Sequence, residues 1–296
     1  MNRTLDRLAT GCAWLATLGT LAAVLLFLGF LVQRGGHTLG LDLFFGNVNP
    51  WEAMTGRLPV WDGIWPAAAG TLSLIVLASL IAIPLGIGCG IYLAQYASGA
   101  WKQFLSFTVD LLAGIPSILM GLFGFALILL LRKSLAPQAN TGLLLSAGCL
   151  ALLVLPYLIV MTQTSLEGLP EPLKLAGPSL GFTPRQNILH VLLPAASRGI
   201  LSGIILAIGR AGEDTAVILL TGVVANAGLP HGLTGKFEAL PFTIYYLAAE
   251  HRSPTELDRG FGAALVLLLL TSLLFLGAQW LHRTIERTWQ RQDRIT

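Results

Sequence analysis

Long uncharged apolar runs alternate with polar, proline-broken connections along the whole chain, and six of the runs can cross a bilayer. About 20 apolar residues in helical form cover the hydrocarbon core. The runs lie at about 9–33, 66–95, 104–131, 142–165, 197–224 and 260–281. Lipid cannot satisfy backbone N–H and C=O groups, and no barrel-like alternation is present, so each run is expected to be helix. The pattern predicts an all-α membrane protein with six transmembrane helices.

The first run follows Arg3 and Arg7, as a signal peptide would. It continues to Val32, however, and no small-residue cleavage site follows it. A signal h-region holds only about 7–15 apolar residues, so the run reads as a retained span starting in the cytoplasm. An even number of spans returns the chain to the same side, with both termini cytoplasmic. This arrangement places Arg3, Arg7, Lys102, Lys174, Arg185, Arg198, Arg283, Arg287, Arg291 and Arg294 inside. Outside are Arg34, Arg57, Arg132, Lys133, Lys236, Arg252 and Arg259. The bias has the sign of the positive-inside rule.

Three connections are more than turns. Residues 34–65 are rich in Gly, Pro and Trp, and 225–258 include "GKFEALPFTIYYLAAEH", the pattern of a short amphipathic helix on the outer face. That helix could be an interfacial aromatic belt or a docking element. The third, "LKLAGPSLGFTPRQNILHVLLPAA" (173–196), lies inside. Gly181 should end one helical piece. Thr183, Pro184 and Gln186 supply an N-cap, a first-turn proline and a capping-box partner for the next. Pro194 is expected to stop that second piece. A short rigid helical element on the cytoplasmic side follows.

This segment resembles the cytoplasmic E-A-A-x-x-x-G-x(9)-I-x-L-P motif of ABC importer membrane subunits. Ala176, Gly181, Val191, Leu193 and Pro194 match it. Leu175 stands in place of Glu, and Gly177 in place of the second Ala. "AGIPSILMGLFG", "LSGIILAIGRAGEDTAVILLTG" and "ALPFTIYYLA" resemble the phosphate-specific permeases, the last their PstA branch; the likeness covers roughly 60–285. The resemblance implies a MetI-like fold. It divides the chain into a first helix with an external loop (1–65), a permease domain (66–285, coupling loop about 167–196) and a cytoplasmic tail (286–296). It also implies an inner-membrane complex with a homologous second permease (PstC-like), an ATP-binding subunit (PstB-like) and an external phosphate-binding protein (PstS-like). Lys174, Leu175, Ala176, Gly177, Gly181, Arg185 and Pro194 would then contact the ATPase.

"AIGRAGEDTAVILLTG" (207–222) sets Arg210, Glu213 and Asp214 inside the fifth run. An ionised side chain at the bilayer centre costs roughly 2.5–3.5 kcal/mol on insertion scales, so such residues mark pathways or paired interiors. At spacings of three and four, Arg210 can share a helix face with both acids. Aligned on Thr215 and Ala216, Arg210 and Asp214 fall on the Arg and Glu of the phosphate permeases, and Glu213 on a Gly. Arg forks onto oxyanions, and a carboxylate can accept the proton that phosphate retains. The expectation is that the acids hold Arg210 at rest and that it meets phosphate in transit. The other reading is a buried triad that fixes packing between subunits. In "GIPS", Gly114 allows close approach, Pro116 should kink the third span and Ser117 offers a hydroxyl; pathway lining and plain helix packing both fit. Pro84 with "GIGCG" reads as packing through small residues.

Composition narrows the classes. The 296 residues are 54% hydrophobic and 11% charged, with net charge +3. No basic cluster with interleaved aromatics suggests nucleic acid. Cys12, Cys89 and Cys149 lie in apolar runs without paired spacing. "GPSLG" fits G-x-S-x-G but sits in a helical loop, and "TGKF" lacks the Walker A spacing. No enzyme, cofactor or metal site is expected, and ATP would be bound by a partner. Rival readings are a permease for molybdate, tungstate or sulfate, an ion-coupled secondary transporter, and a structural or signalling subunit.

Overall fold

The computed structural model describes residues 3–134, 137 and 139–292, with the side chains of 3–6, 8, 9 and 281–292 left aside. Arg3, Arg283, Arg287, Arg291 and Arg294, which support the expected orientation, therefore lie outside the described side chains. The elements in chain order are α1 (Arg3–Gly35), α2 (Leu41–Phe45), α3 (Pro50–Met54), α4 (Trp65–Gln95), α5 (Gly99–Ala113), α6 (Ser117–Ser134) and α7 (Leu143–Glu167). Then come α8 (Glu171–Ser179), α9 (Pro184–Asn187), α10 (Leu193–Glu213), α11 (Ala216–Thr221), α12 (Leu240–Glu250) and α13 (Pro254–Gln292). Among the described residues six helices are long and apolar enough to cross a membrane.

α4 and α7 form the centre of the bundle, and α10 packs on both. Small residues set how closely they approach. A Cβ on Gly86 would overlap Leu158, and one on Gly90 would overlap Thr162, as the "GIGCG" pattern suggests. α1 lies outside this core against α13, where Phe30 meets Phe261 edge to face at 5.5 Å.

Two expected spans are divided. The third run is two helices, α5 and α6, interrupted at Gly114–Pro116 rather than kinked there. Proline at 116 biases Ile115 out of helical conformation and removes an amide. The fifth run is also two helices, α10 and α11, interrupted at Asp214–Thr215.

Pro194, by contrast, does not stop its helix. A π-helical turn over Ile188–Leu192 joins α9 to α10, and Leu193 N–H bonds the Ile188 carbonyl five residues back. The widened turn makes room for the proline ring where an ordinary α-turn would clash. A single rod therefore runs over Pro184–Glu213.

The connections at one end form a folded cap. Leu143 N–H bonds Gly235 O (3.1 Å), Leu144 N–H bonds Leu233 O (2.7 Å), and Gly142 N–H bonds Thr221 O (2.9 Å). The segment 222–239 thus supplies carbonyls to the otherwise unpaired first amides of α7. It is anchored by Phe237, which is fully buried, and by Leu240 N–H on Thr71 Oγ1 (2.8 Å). Residues 34–65 fold beside it around Phe45, Ala53 and Val60, and the expected short helix after 225 is α12.

Glu238 in this cap is buried and accepts from Gly228 N–H at 2.8 Å. Burial pushes its carboxyl above the usual glutamate range, against the opposing pull of the Gly228 and Ala227 amides. Its contribution to stability is complete below the ordinary glutamate pKa and is lost as pH rises through the raised value. Glu238→Gln keeps an acceptor and cannot ionise. It is expected to flatten that part of the pH dependence of Tm, read by thermal unfolding in detergent. Gly70 gives a second test, because a Cβ there would overlap the Glu238 carbonyl. Gly70→Ala is expected to cost about 1–3 kcal/mol, as overpacking does, in the same assay.

Candidate translocation site and helical hairpin

The two helix breaks are brought together. One turn beyond Pro116, Gly121 of α6 lies against α11. A Cβ on Gly121 would sit 3.0 Å from Ala216 O and 3.2 Å from Val217 Cα. One turn further, Gly124 faces Cys149 and Thr221. The Thr221 hydroxyl donates to Val217 O (2.8 Å) and shares a hydrogen bond with Ser146 Oγ (2.9 Å). Both breaks therefore border one packed contact between α6, α7 and α11.

The second break rests on a carboxylate. Asp214 is extended (φ −74°, ψ 114°) and its Oδ1 accepts Val217 N–H at 2.9 Å, three residues on. That is the geometry of a helix N-cap, which satisfies an amide α11 would otherwise leave unpaired. Asp214 is only 9% exposed. Its side chain is committed to the backbone and not to Arg210. Among the described residues no ion pair joins Arg210 to Glu213 or Asp214, so the expected resting pair is not formed.

Arg210 and Glu213 instead occupy an open face of α10. Gly209 packs against Phe275 and Gly212 against Ile75 and Thr271, so the glycines seat α10 closely in the bundle while Arg210 and Glu213 stay exposed. Their depth follows from register. Ala207 and Ala211 cluster with Ala82, Ala151, Val154 and Leu158, near the middle of α7, which spans Leu143–Glu167. An exposed guanidinium thus lies at mid-bundle height. Thr215 is half-buried beside it in sequence, Ser117 is half-buried, and Gly114 and Pro116 are exposed.

The hairpin lies at the other end of the rod. Phe182 N–H bonds Gly177 O (3.0 Å) and Gly181 N–H bonds Pro178 O (3.0 Å), with Gly181 at φ +80°. This pair of bonds is a Schellman ending, which favours glycine at the left-handed position. Thr183 and Gln186 then form a reciprocal capping box. Two interlocked caps hold α8 against α9 with only four residues between them. Ala176 and Arg185 are exposed, Lys174 and Pro194 half-buried and Gly177 buried. Leu175 is 58% and Leu180 77% exposed, so the hairpin presents apolar side chains outward.

Asn187, which the sequence pattern did not single out, locks the hairpin. It is buried, donates from Nδ2 to Lys174 O (3.1 Å), and a Cβ on Gly177 would overlap its Oδ1. The available signal was an amide placed directly before the run "ILHVLL", just after the capping-box Gln186.

An all-helical membrane bundle with broken helices at mid-height and a rigid, apolar-tipped hairpin at one end is built as a transporter permease subunit. The chain belongs to the family of binding-protein-dependent transport system inner membrane components, whose profile matches residues 86–291. It is 34% identical over 232 residues to "Phosphate transport system permease protein PstA 1" of Mycobacterium tuberculosis, covering 77% of this chain and 73% of that one. It is 29% identical over 273 residues to "Phosphate transport system permease protein PstA" of Haemophilus influenzae, covering 92% of each. In fold it matches a chain of the inward-facing MetNI methionine ABC transporter, with TM-score 0.54 and 18% identity, over 81% of this chain and 99% of that one. These place it as a multi-pass permease of the MetI-like fold.

Removing the cap should destabilise the second break. Asp214→Ala is expected to cost about 0.5–2 kcal/mol, while Asp214→Asn, which keeps the acceptor, should cost less. Thermal unfolding of both variants in detergent measures the difference.

Proposed function

We infer that the chain is a permease subunit of an ATP-driven importer of inorganic phosphate and lines half of the translocation pathway. The observation that carries this reading is Arg210 at mid-bundle height on an open face. A lone guanidinium facing lipid at that depth is costly, so the face must meet an aqueous path or another chain. A second, homologous permease (PstC-like) placed against it would enclose a path with Arg210 on its wall. Arg is always charged and offers a planar fork of donors suited to an oxyanion.

Glu213, free of the backbone, would accept the proton that phosphate carries at neutral pH. Asp214 would act by holding the break open, with Thr215, Gly114, Pro116 and Ser117 shaping the path around it. The resemblance of the relatives' names to this cargo is the second support.

The hairpin would receive a separate ATP-binding subunit (PstB-like) through Leu175, Leu180 and Phe182, with Arg185 and Lys174 at its edges. The hairpin end would then be cytoplasmic, with both termini, and the cap of residues 34–65 and 222–239 would face an external phosphate-binding protein (PstS-like). ATP hydrolysis would reside in the partner, and this chain would need no cofactor.

Labelled phosphate uptake by the complex in proteoliposomes tests this. Arg210→Ala is expected to lower uptake by about 100-fold and Arg210→Lys by at least about 10-fold, the range for losing one charged, oriented contact, with assembly unchanged. Arsenate should compete, and sulfate and molybdate should not. Full uptake in Arg210→Lys, or competition by molybdate or sulfate, would reject the assignment of contact or cargo respectively.

A further inference from the structure

Three elements meet on one residue at the hairpin end. Glu167 is the last residue of α7. Its carboxylate accepts from Lys102 Nζ (2.7 Å), in the first turn of α5, and from Gln163 Nε2 (3.0 Å). Its backbone carbonyl accepts from Lys174 Nζ (2.9 Å) of α8, which also pairs with Glu171 at 3.2 Å. Leu175, the next residue of α8, offers no charge. The attachment of α8 to the bundle by charged groups therefore runs through Lys174 and Glu167.

α5 is the element this contact holds. It contributes no fully buried residue, and its packing on the main core is through Leu112 near its far end, so burial does little to fix the end that carries Lys102. It runs directly into the Gly114–Pro116 break. The hairpin's other arm continues through the π-turn into the rod that ends at Arg210 and the Asp214 break. One route from the hairpin to mid-bundle is thus covalent and continuous, and the other passes through Glu167.

The geometry points to Glu167 as a positioning residue for the ATP-driven step: it ties α5 to the hairpin, so that both helix breaks shift together when the hairpin is displaced. This rests on the reading of the hairpin as the ATPase contact. The groups are half-exposed, and exposed ion pairs add little to stability. Exchanging their charges should therefore disturb coupling and leave folding intact.

The test uses the full complex in proteoliposomes with Glu167→Lys, Lys102→Glu and the double exchange. Phosphate taken up per ATP hydrolysed is measured, together with the distance between spin labels at Gln103→Cys on α5 and Ser179→Cys on α8, with the native cysteines replaced. In wild type, ATP should leave the label distance unchanged because the two elements move together. Each single exchange should alter that distance on ATP addition and lower uptake per ATP by about five-fold or more, the scale of an allosteric coupling. The double exchange should restore both. Single exchanges that leave the label distance as in wild type, or a double exchange that restores neither quantity, overturn the inference. A wild-type complex that takes up no phosphate yet shows the expected label behaviour overturns the cargo assignment and supports the role of Glu167.

Discussion

A backbone amide inside a membrane protein must find a partner within the protein, because lipid supplies none. At the end of α10 that demand falls on one carboxylate. Asp214 leaves the helix, turns its side chain forward and takes the Val217 amide. With that amide satisfied, α11 can restart in a new direction, lie against Gly121 and Gly124 of α6, and deliver the chain to the 222–239 cap. Those carbonyls in turn satisfy the first amides of α7. A charged residue among apolar neighbours thus serves the backbone before it serves any cargo, and it releases Arg210 and Glu213 to the open face.

The parts of the fold that were legible in the sequence are those governed by local chemistry. Six apolar runs located six spans, and Gly181, Thr183 and Gln186 located the hairpin's two caps to the residue. Two misreadings have a common cause, since each assigned a residue one habitual role. A proline at 194 reads as a helix stop, but widening a single turn to π geometry accommodates its ring, and nothing local in the sequence announces that choice. Asp214, four residues after Arg210, reads as its ion-pair partner, although an Asp-Thr pair ahead of an apolar turn is also an N-cap signal. Hydropathy alone could not divide 104–131 or 197–224, because both halves of each run are apolar. Asn187 and Glu167 act through contacts distant in sequence, to Gly177 and Lys174 in one case and to Lys102 in the other, which periodicity does not encode.

The rod from Pro184 to Glu213 gives the molecule its two-ended character. Its 30 residues extend about 45 Å at 1.5 Å per residue. The caps stiffen one end and the glycines at 209 and 212 seat the other. Small residues recur wherever helices must approach closely, at 86 and 90 on α4, at 121 and 124 on α6 and along α10. The bundle is therefore held by shape as much as by apolar area, as expected where lipid competes equally for apolar surface.

The apolar tip of the hairpin also bears on how the chain is made. Leu180, 77% exposed, is poorly matched to water, and Arg210 is poorly matched to acyl chains. A newly inserted copy therefore carries two mismatched surfaces at opposite ends of one rod. Left uncovered, they come at the expense of solubility at one end and of membrane burial at the other. Overproduction of the chain by itself therefore favours aggregation through the hairpin tip.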